Sequence, residues 1–161
     1  MNDRLLEIYL ADHLAAATAG LALVRRSAAS NSDNATGEFL LRLSSEIASD
    51  REALRRIIAA LGYDESNAKQ LLAWLGEKAG RLKLNGQLVG YSPLSRLLEL
   101  ESLSVGIAGK LALWQTLLQL PGLEQRLALF DLAGLAHRAA AQRAEVEQHR
   151  LKAVELAFDS N

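Results

Sequence analysis

Carboxylate and imidazole side chains interrupt the apolar stripes of the predicted helices, and they are the residues of this sequence best suited to chemistry. Burying such a polar group costs roughly 2–7 kcal/mol unless it has a partner. The same side chains are the usual ligands of zinc, iron and manganese. The five candidate metal ligands are His13, Glu46, Asp50, Glu101 and His137.

Each candidate also has a purely structural interpretation, which the sequence favours. Glu46 and Asp50 can form a buried ion pair with an arginine of their own segment, namely Arg42, Arg51 or Arg55, or can belong to a buried water network. A buried ion pair of this kind fixes the register of helices but adds little net stability.

The remaining candidates have equally ordinary roles. Glu101 can pair with Lys110 or with an arginine of another helix. His13 and His137 can be histidines that are hydrogen-bonded or half-exposed. Five candidates therefore do not by themselves define a site.

The elements that must position these residues are helices. Leu (34) and Ala (27) far outnumber Val, Ile and Thr, which total 13, and these proportions favour helices over strands. Apolar residues recur at helical spacing in four long segments and one shorter one. We predict a single domain over 1–161, with helices at about 3–29, 36–61, 65–82, 93–120 and 123–158.

Capping residues mark three of these boundaries. Thr36 can cap the start of the second helix, and Gly62 stands where a left-handed residue ends it. Ser92 and Pro93 provide the capping hydroxyl and the first residue of the next long helix.

The connection between the second and third long helices is unusual because it spans about 30 residues. Antiparallel neighbours in a bundle need only about 2–8 connecting residues. A connection of this length indicates a crossover, after which the two helices run parallel. Within it, Asn85-Gly86 has the signature of a tight hairpin over 82–90.

The layout of a helix pair, a long crossover and a second helix pair resembles the ferritin-like superfamily over nearly the whole chain. The segments Gly80–Asn85, Leu98–Glu101 and Gly109–Trp114 also resemble an uncharacterised, Ala/Leu-rich bacterial branch of it. The resemblance implies an all-α four-helix bundle with a long helical crossover. It also implies a di-iron centre, for which active members carry a Glu on two helices and Glu-x-x-His on the other two.

This sequence departs from the Glu-x-x-His pattern on both helices that should carry it. Ser49 lies three residues after Glu46, where the pattern requires His. Gly134 lies three residues before His137, where it requires Glu. If helices 1 and 4 run opposite to helices 2 and 3, Glu101 also lies about 13 Å along the bundle from His13. Two half-sets of ligands are then expected rather than one complete site.

Two glycines in the third long helix need an explanation. Gly106 and Gly109 precede Lys110, but the spacing does not match a phosphate-binding loop and the segment lies in mid-helix. We interpret these glycines as allowing a neighbouring helix to approach closely.

Composition excludes several functional classes. The chain has no cysteine, which removes disulfides and cysteine-based metal sites, and its net charge of -1 disfavours nucleic-acid binding. The acidic start at Asp3 is unlike a secretory signal, and the apolar run from Leu14 to Val24 is too short to span a membrane. We expect a cytoplasmic protein without a membrane partner.

Two functional hypotheses follow. The preferred one is a non-catalytic bundle without a cofactor that acts by self-association, as a homodimer, or by binding a protein partner. It rests on the missing Glu-x-x-His motifs. The alternative is a ferritin-like oxidoreductase or storage-type protein that binds iron, manganese or zinc through an unorthodox ligand set. A bundle that holds a small apolar ligand is a third possibility, for which the sequence offers no positive sign.

Overall fold

Four long α-helices pack together in the computed structural model, which describes residues 2–64 and 91–159. They are α1 (Asp3–Ser30), α2 (Ala35–Ala60), α3 (Pro93–Gln119) and α4 (Leu132–Phe158). The predicted all-α fold with four packed helices is confirmed. The predicted helix over 65–82 and the predicted hairpin over 82–90 lie outside the described residues.

Capping residues explain where the helices begin and end. Ser92 accepts a hydrogen bond from the Ser95 amide at 3.1 Å, and Pro93 is the first residue of α3, as the sequence predicts. Gly62 follows α2 with φ of 77°, a left-handed conformation that favours glycine. The N-cap of α2 is Asn34 rather than the predicted Thr36.

The start of α4 differs from the prediction by nine residues. Leu123 and Leu127 are buried at the spacing of one helical turn, as they would be in a helix that begins at 123. The chain there forms turns instead, and α4 begins only after Asp131, whose side chain accepts from the Gly134 amide at 2.8 Å. Apolar spacing therefore identified the buried leucines but not the backbone conformation between them.

Contacts at the two ends of the bundle show how the helices run. At the end that holds Asp3, the Tyr63 hydroxyl donates to the Asp3 carboxylate at 2.5 Å, just beyond the end of α2. At the opposite end, Asn31 donates to the Tyr91 hydroxyl at 2.6 Å, just before α3 begins. Both α2 and α3 are therefore antiparallel to α1 and parallel to each other. We call these ends the Asp3 end and the Asn31 end.

The fourth helix runs in the same direction as α1. It begins near the Asp3 end, where Arg126 of the preceding turns donates to Asp3 at 3.0 Å. Farther along α4, the ring of His149 lies 3.4 Å from the Thr36 hydroxyl, at the Asn31 end.

The core consists of two apolar clusters separated by a polar belt. One cluster fills the Asp3 end around Leu10, Ile57 and Trp114, and the other fills the Asn31 end around Val24 and Leu100. Between them lies the middle turn of each helix. The members of the belt that matter below are Ala16, Ala17, Thr18 and Gly20 of α1, Asp50 and Arg51 of α2, Gly109 and Lys110 of α3, and Arg138 and Gln142 of α4.

Among the described helices, α1 is long and apolar enough to cross a membrane. Its most apolar 18-residue stretch has a mean hydropathy of 1.2, and 33% of that stretch is buried in the bundle. A buried core helix of a soluble protein can be equally long and apolar, and so can a signal sequence. The cytoplasmic location therefore stays a prediction.

Candidate ligand cavity and buried ion network

A network of charged and amide side chains occupies the centre of the belt. Asp50 is 1% exposed, and its Oδ2 accepts from the Lys110 ammonium at 2.5 Å. Its Oδ1 accepts from two nitrogens of Arg138, with Nε at 2.8 Å. The Gln142 amide donates to Asp50 Oδ2 at 3.3 Å and to Glu46 Oε2 at 2.9 Å. Three helices are thereby tied together around one buried carboxylate.

Lys110 is held in this network against the cost of its burial. Removal from water lowers the pKa of the Lys110 ammonium below its usual range, and Asp50 opposes this effect. The Arg138 guanidinium, on the other side of Asp50, adds a smaller lowering effect. The negative charge of Asp50 therefore offsets the positive charges of Lys110 and Arg138. Removing any one of the three side chains would leave a charge at the centre of the bundle without full compensation.

The network does not fit a divalent cation as it is arranged. Both oxygens of Asp50 accept from cationic side chains, which would repel a metal ion. Within residues 2–64 and 91–159 there is no group of three His, Asp or Glu side chains that could hold a metal.

The five candidates from the sequence are placed at different points of the bundle. Glu46 and Asp50 are brought together through the Gln142 amide. Glu101 is half-buried, and its carboxylate lies 3.8 Å from the Arg150 guanidinium of α4, as expected for a pairing with an arginine of another helix. His137 is exposed to solvent, and His13 lines a cavity.

The cavity opens between α1 and α3 and has a volume of about 270 Å³. An engineered apolar cavity of about 150 Å³ is large enough to take up benzene. On α1 the lining extends from His13 to Leu23, which corresponds to about 15 Å along the helix. Asp50 and Lys110 form part of the floor, and most of the remaining lining is apolar.

Three glycines in the middle of helices line this cavity, and packing of the described helices does not require any of them. A Cβ atom added at Gly20, Gly106 or Gly109 would meet no atom of residues 2–64 or 91–159 within 4 Å. The interpretation that Gly106 and Gly109 allow a close helix approach is therefore not supported by any of the four described helices. Each glycine costs about 0.5–1 kcal/mol of helix stability relative to alanine. What these residues provide in return is open space among the described helices.

Trp114 supplies an unsatisfied polar group at the wall of the cavity. The residue is 1% exposed, and its indole Nε1 is buried without a hydrogen-bond acceptor in the described part of the chain. A buried donor without an acceptor costs about 1–3 kcal/mol. Because Nε1 is out of reach of a molecule the size of water, the cavity does not bring an acceptor to it.

Sequence reasoning missed Arg138 and Gln142, which complete the ion network. They lie one helical turn apart on α4, on the same stripe as the buried Leu135 and Val146. A polar pair at this spacing within an apolar stripe is the same signal that identified Asp50. The sequence could therefore have identified Arg138 and Gln142 as buried polar residues, but not the residues to which they bond.

We expect the free energy of unfolding to fall as the pH decreases from about 7 to 5. Burial lowers the pKa of His13 and of His149 in the folded chain. The unfolded chain then binds more protons over this range, because its histidines titrate near pH 6.5. Denaturant titrations at several pH values measure the slope.

His13→Gln and His149→Gln are each expected to flatten that slope, and His137→Gln is the matched variant at an exposed histidine. If neither His13→Gln nor His149→Gln changes the pH dependence of the unfolding free energy, burial of these two histidines is not its cause.

Comparison with known proteins adds no relative to this picture. No family model, no curated protein and no solved structure matches the chain. The functional argument therefore rests on the geometry of the cavity and of the ion network.

Proposed function

We propose that the protein is a non-catalytic binding protein that takes a small, mainly apolar molecule into the cavity between α1 and α3. The observation that carries this proposal is that one cavity is lined by three mid-helix glycines that the packing of the described helices does not require. Gly20, Gly106 and Gly109 each weaken their helix, and each keeps the same volume free. The helices are therefore less stable at the same positions where the cavity is wider. This combination is typical of a ligand site rather than of a packing defect.

The ion network beneath the cavity supports the same proposal. Binding rather than catalysis is proposed because the ionisable groups of the floor are occupied. Asp50 and Lys110 are bonded to each other, so neither is available as a base or a nucleophile.

The architecture also supports a finer proposal about the fold. With α2 and α3 parallel, we propose the ferritin-like arrangement with a crossover through 65–90. In this arrangement Lys110 and Arg138 provide the positive charge that a metal centre would bring to the middle of the bundle.

The other functional hypotheses from the sequence stay predictions. Self-association or a protein partner is compatible with the exposed Leu94, Leu98 and Val105 of α3, which lie on one face of the helix. Metal binding through His13, Glu46, Asp50, Glu101 or His137 would be tested by the metal content of the purified protein.

The proposed function is tested by titrating the protein with decanol, below its solubility limit, in a Trp74→Phe background. Trp114 is then the sole tryptophan. We expect a saturable change in its emission with one decanol bound per chain. The Trp114 side chain lines the cavity, so its emission reports occupancy of the site.

A matched pair of variants on α3 distinguishes the cavity from the surface. Gly109→Leu places a side chain in the cavity and should abolish binding, whereas Ala112→Leu adds the same side chain at an exposed position and should not. Equal binding by both variants, or no saturable binding by the parent protein, would refute the proposed function.

A further inference from the structure

The charges that line the cavity do not cancel. The ionisable side chains of the lining are His13, Asp50, Arg51 and Lys110. Burial lowers the pKa of His13, so its ring is neutral near pH 7. Asp50 and Lys110 compensate each other in the ion network. The remaining charge is the positive charge of Arg51, because an arginine stays protonated in proteins.

Arg51 is held in place by the first helix rather than by a carboxylate. Its Nε donates to the Thr18 hydroxyl at 3.1 Å, and that hydroxyl donates in turn to the Leu14 carbonyl at 2.9 Å. No ion pair joins the Arg51 guanidinium to a carboxylate of residues 2–64 or 91–159. A fixed guanidinium of this kind presents further N–H groups that match a carboxylate in pairs.

The apolar and polar features of the cavity are arranged in sequence along the bundle. His13 lies toward the Asp3 end, since its ring packs edge-on against Tyr9, whose hydroxyl donates to Thr116. Trp114 belongs to the apolar cluster at that same end. Thr18, which holds Arg51, is five residues beyond His13 and therefore about 7.5 Å farther along α1. The glycine-lined wall extends between and beyond these two positions.

From this arrangement we infer that the ligand is an aliphatic carboxylate. The carboxylate pairs with Arg51, and the chain lies along the wall formed by Gly20, Gly106 and Gly109. This inference rests on the proposed function, because it assigns chemistry to the ligand of the same cavity.

Three probes with the same hydrocarbon chain test the charge of the ligand. Decanoate is expected to bind about 10- to 100-fold more tightly than decanol, as a hydrogen bond to a charged group is worth about 1.5–3 kcal/mol. Decyltrimethylammonium is expected to bind more weakly than decanol, because its charge has the same sign as Arg51. Submicellar concentrations and the Trp74→Phe background allow all three to be followed through Trp114.

A variant of Arg51 shows whether this side chain supplies the preference. Arg51→Gln should reduce decanoate affinity about 10- to 100-fold and change decanol affinity by less than about threefold. The matched control is Arg56→Gln on the same helix, where the exposed guanidinium lies over the Phe130 ring and not in the cavity. The control should bind both probes as the parent does.

The outcomes separate the inference from the proposed function. If decanol binds as tightly as decanoate, or if Arg51→Gln weakens both probes equally, the carboxylate assignment is wrong while the cavity remains a binding site. If none of the probes binds the parent protein, the proposed function itself fails.

Discussion

Asp50→Ala is expected to lower the free energy of unfolding by about 3–5 kcal/mol, the cost of breaking a buried ion network by removing one partner. The substitution leaves the Lys110 ammonium, whose side chain is 13% exposed, without its carboxylate. It also removes the acceptor of Arg138 and one acceptor of Gln142. Denaturant titration at neutral pH measures the loss.

An exposed ion pair between the same helices provides the control for this prediction. Arg42 of α2 and Glu145 of α4 form a salt bridge, and both side chains are about half exposed. Glu145→Ala should cost at most about 1 kcal/mol, as is usual for surface pairs. A loss for Asp50→Ala no larger than that for Glu145→Ala would contradict the structural role assigned to the network.

A double substitution separates charge burial from packing. Asp50→Leu combined with Lys110→Met removes both members of the closest pair and replaces them with apolar side chains. Much of the lost stability should be recovered, because the buried charges are removed together. Arg138 does not prevent this recovery, since its side chain is 41% exposed and can turn toward solvent.

The triple variant Gly20→Ala, Gly106→Ala and Gly109→Ala is expected to raise the free energy of unfolding by about 1.5–3 kcal/mol. Each alanine restricts the unfolded chain and favours the helix by about 0.5–1 kcal/mol. No added Cβ meets an atom of the described residues within 4 Å, so these residues set no steric cost against the gain. The same variant should bind decanol less tightly, because the methyl groups occupy part of the cavity.

Gly37→Ala is the control that distinguishes a cavity glycine from a packing glycine. A Cβ atom at Gly37 would lie 1.9 Å from the Asn31 carbonyl oxygen, so this substitution should destabilise the protein. A triple variant that is less stable than the parent would show that the three cavity glycines are required by the fold after all.

Together these two predictions concern neighbouring features in the middle of the bundle, one that stabilises the fold and one that leaves room for a ligand. The ion network ties α2, α3 and α4 together around Asp50. The glycines on the α1–α3 side leave room for a ligand against that floor. The ion network fixes the side chains at the base of the cavity, so the binding site keeps its shape when no molecule is bound.

Local features of the sequence predicted much of the fold. The apolar spacing located four helices, and Ser92, Pro93 and Gly62 marked boundaries correctly. These predictions succeed because capping and helical spacing depend on residues only a few positions apart. The start of α4 was wrong because Leu123 and Leu127 satisfy the same spacing within a series of turns.

The candidate site was only partly predictable. Asp50 was singled out because a carboxylate in an apolar stripe must have a partner, and that reasoning led to the centre of the network. The predicted arginine partners from its own helix were wrong, since Asp50 bonds to Lys110 of α3 and Arg138 of α4. Arg51 instead bonds to Thr18 of α1.

The sequence by itself determined the helical class, the position of most helix boundaries and the identity of a carboxylate that needs a partner. The tertiary structure alone decided that Asp50 is neutralised by side chains of two other helices. Among the described residues, it also decided that the mid-helix glycines border open space and that Trp114 lacks an acceptor. The reason is that packing, voids and hydrogen-bond partners depend on residues far apart in the chain, whose distances are fixed only when the helices come together.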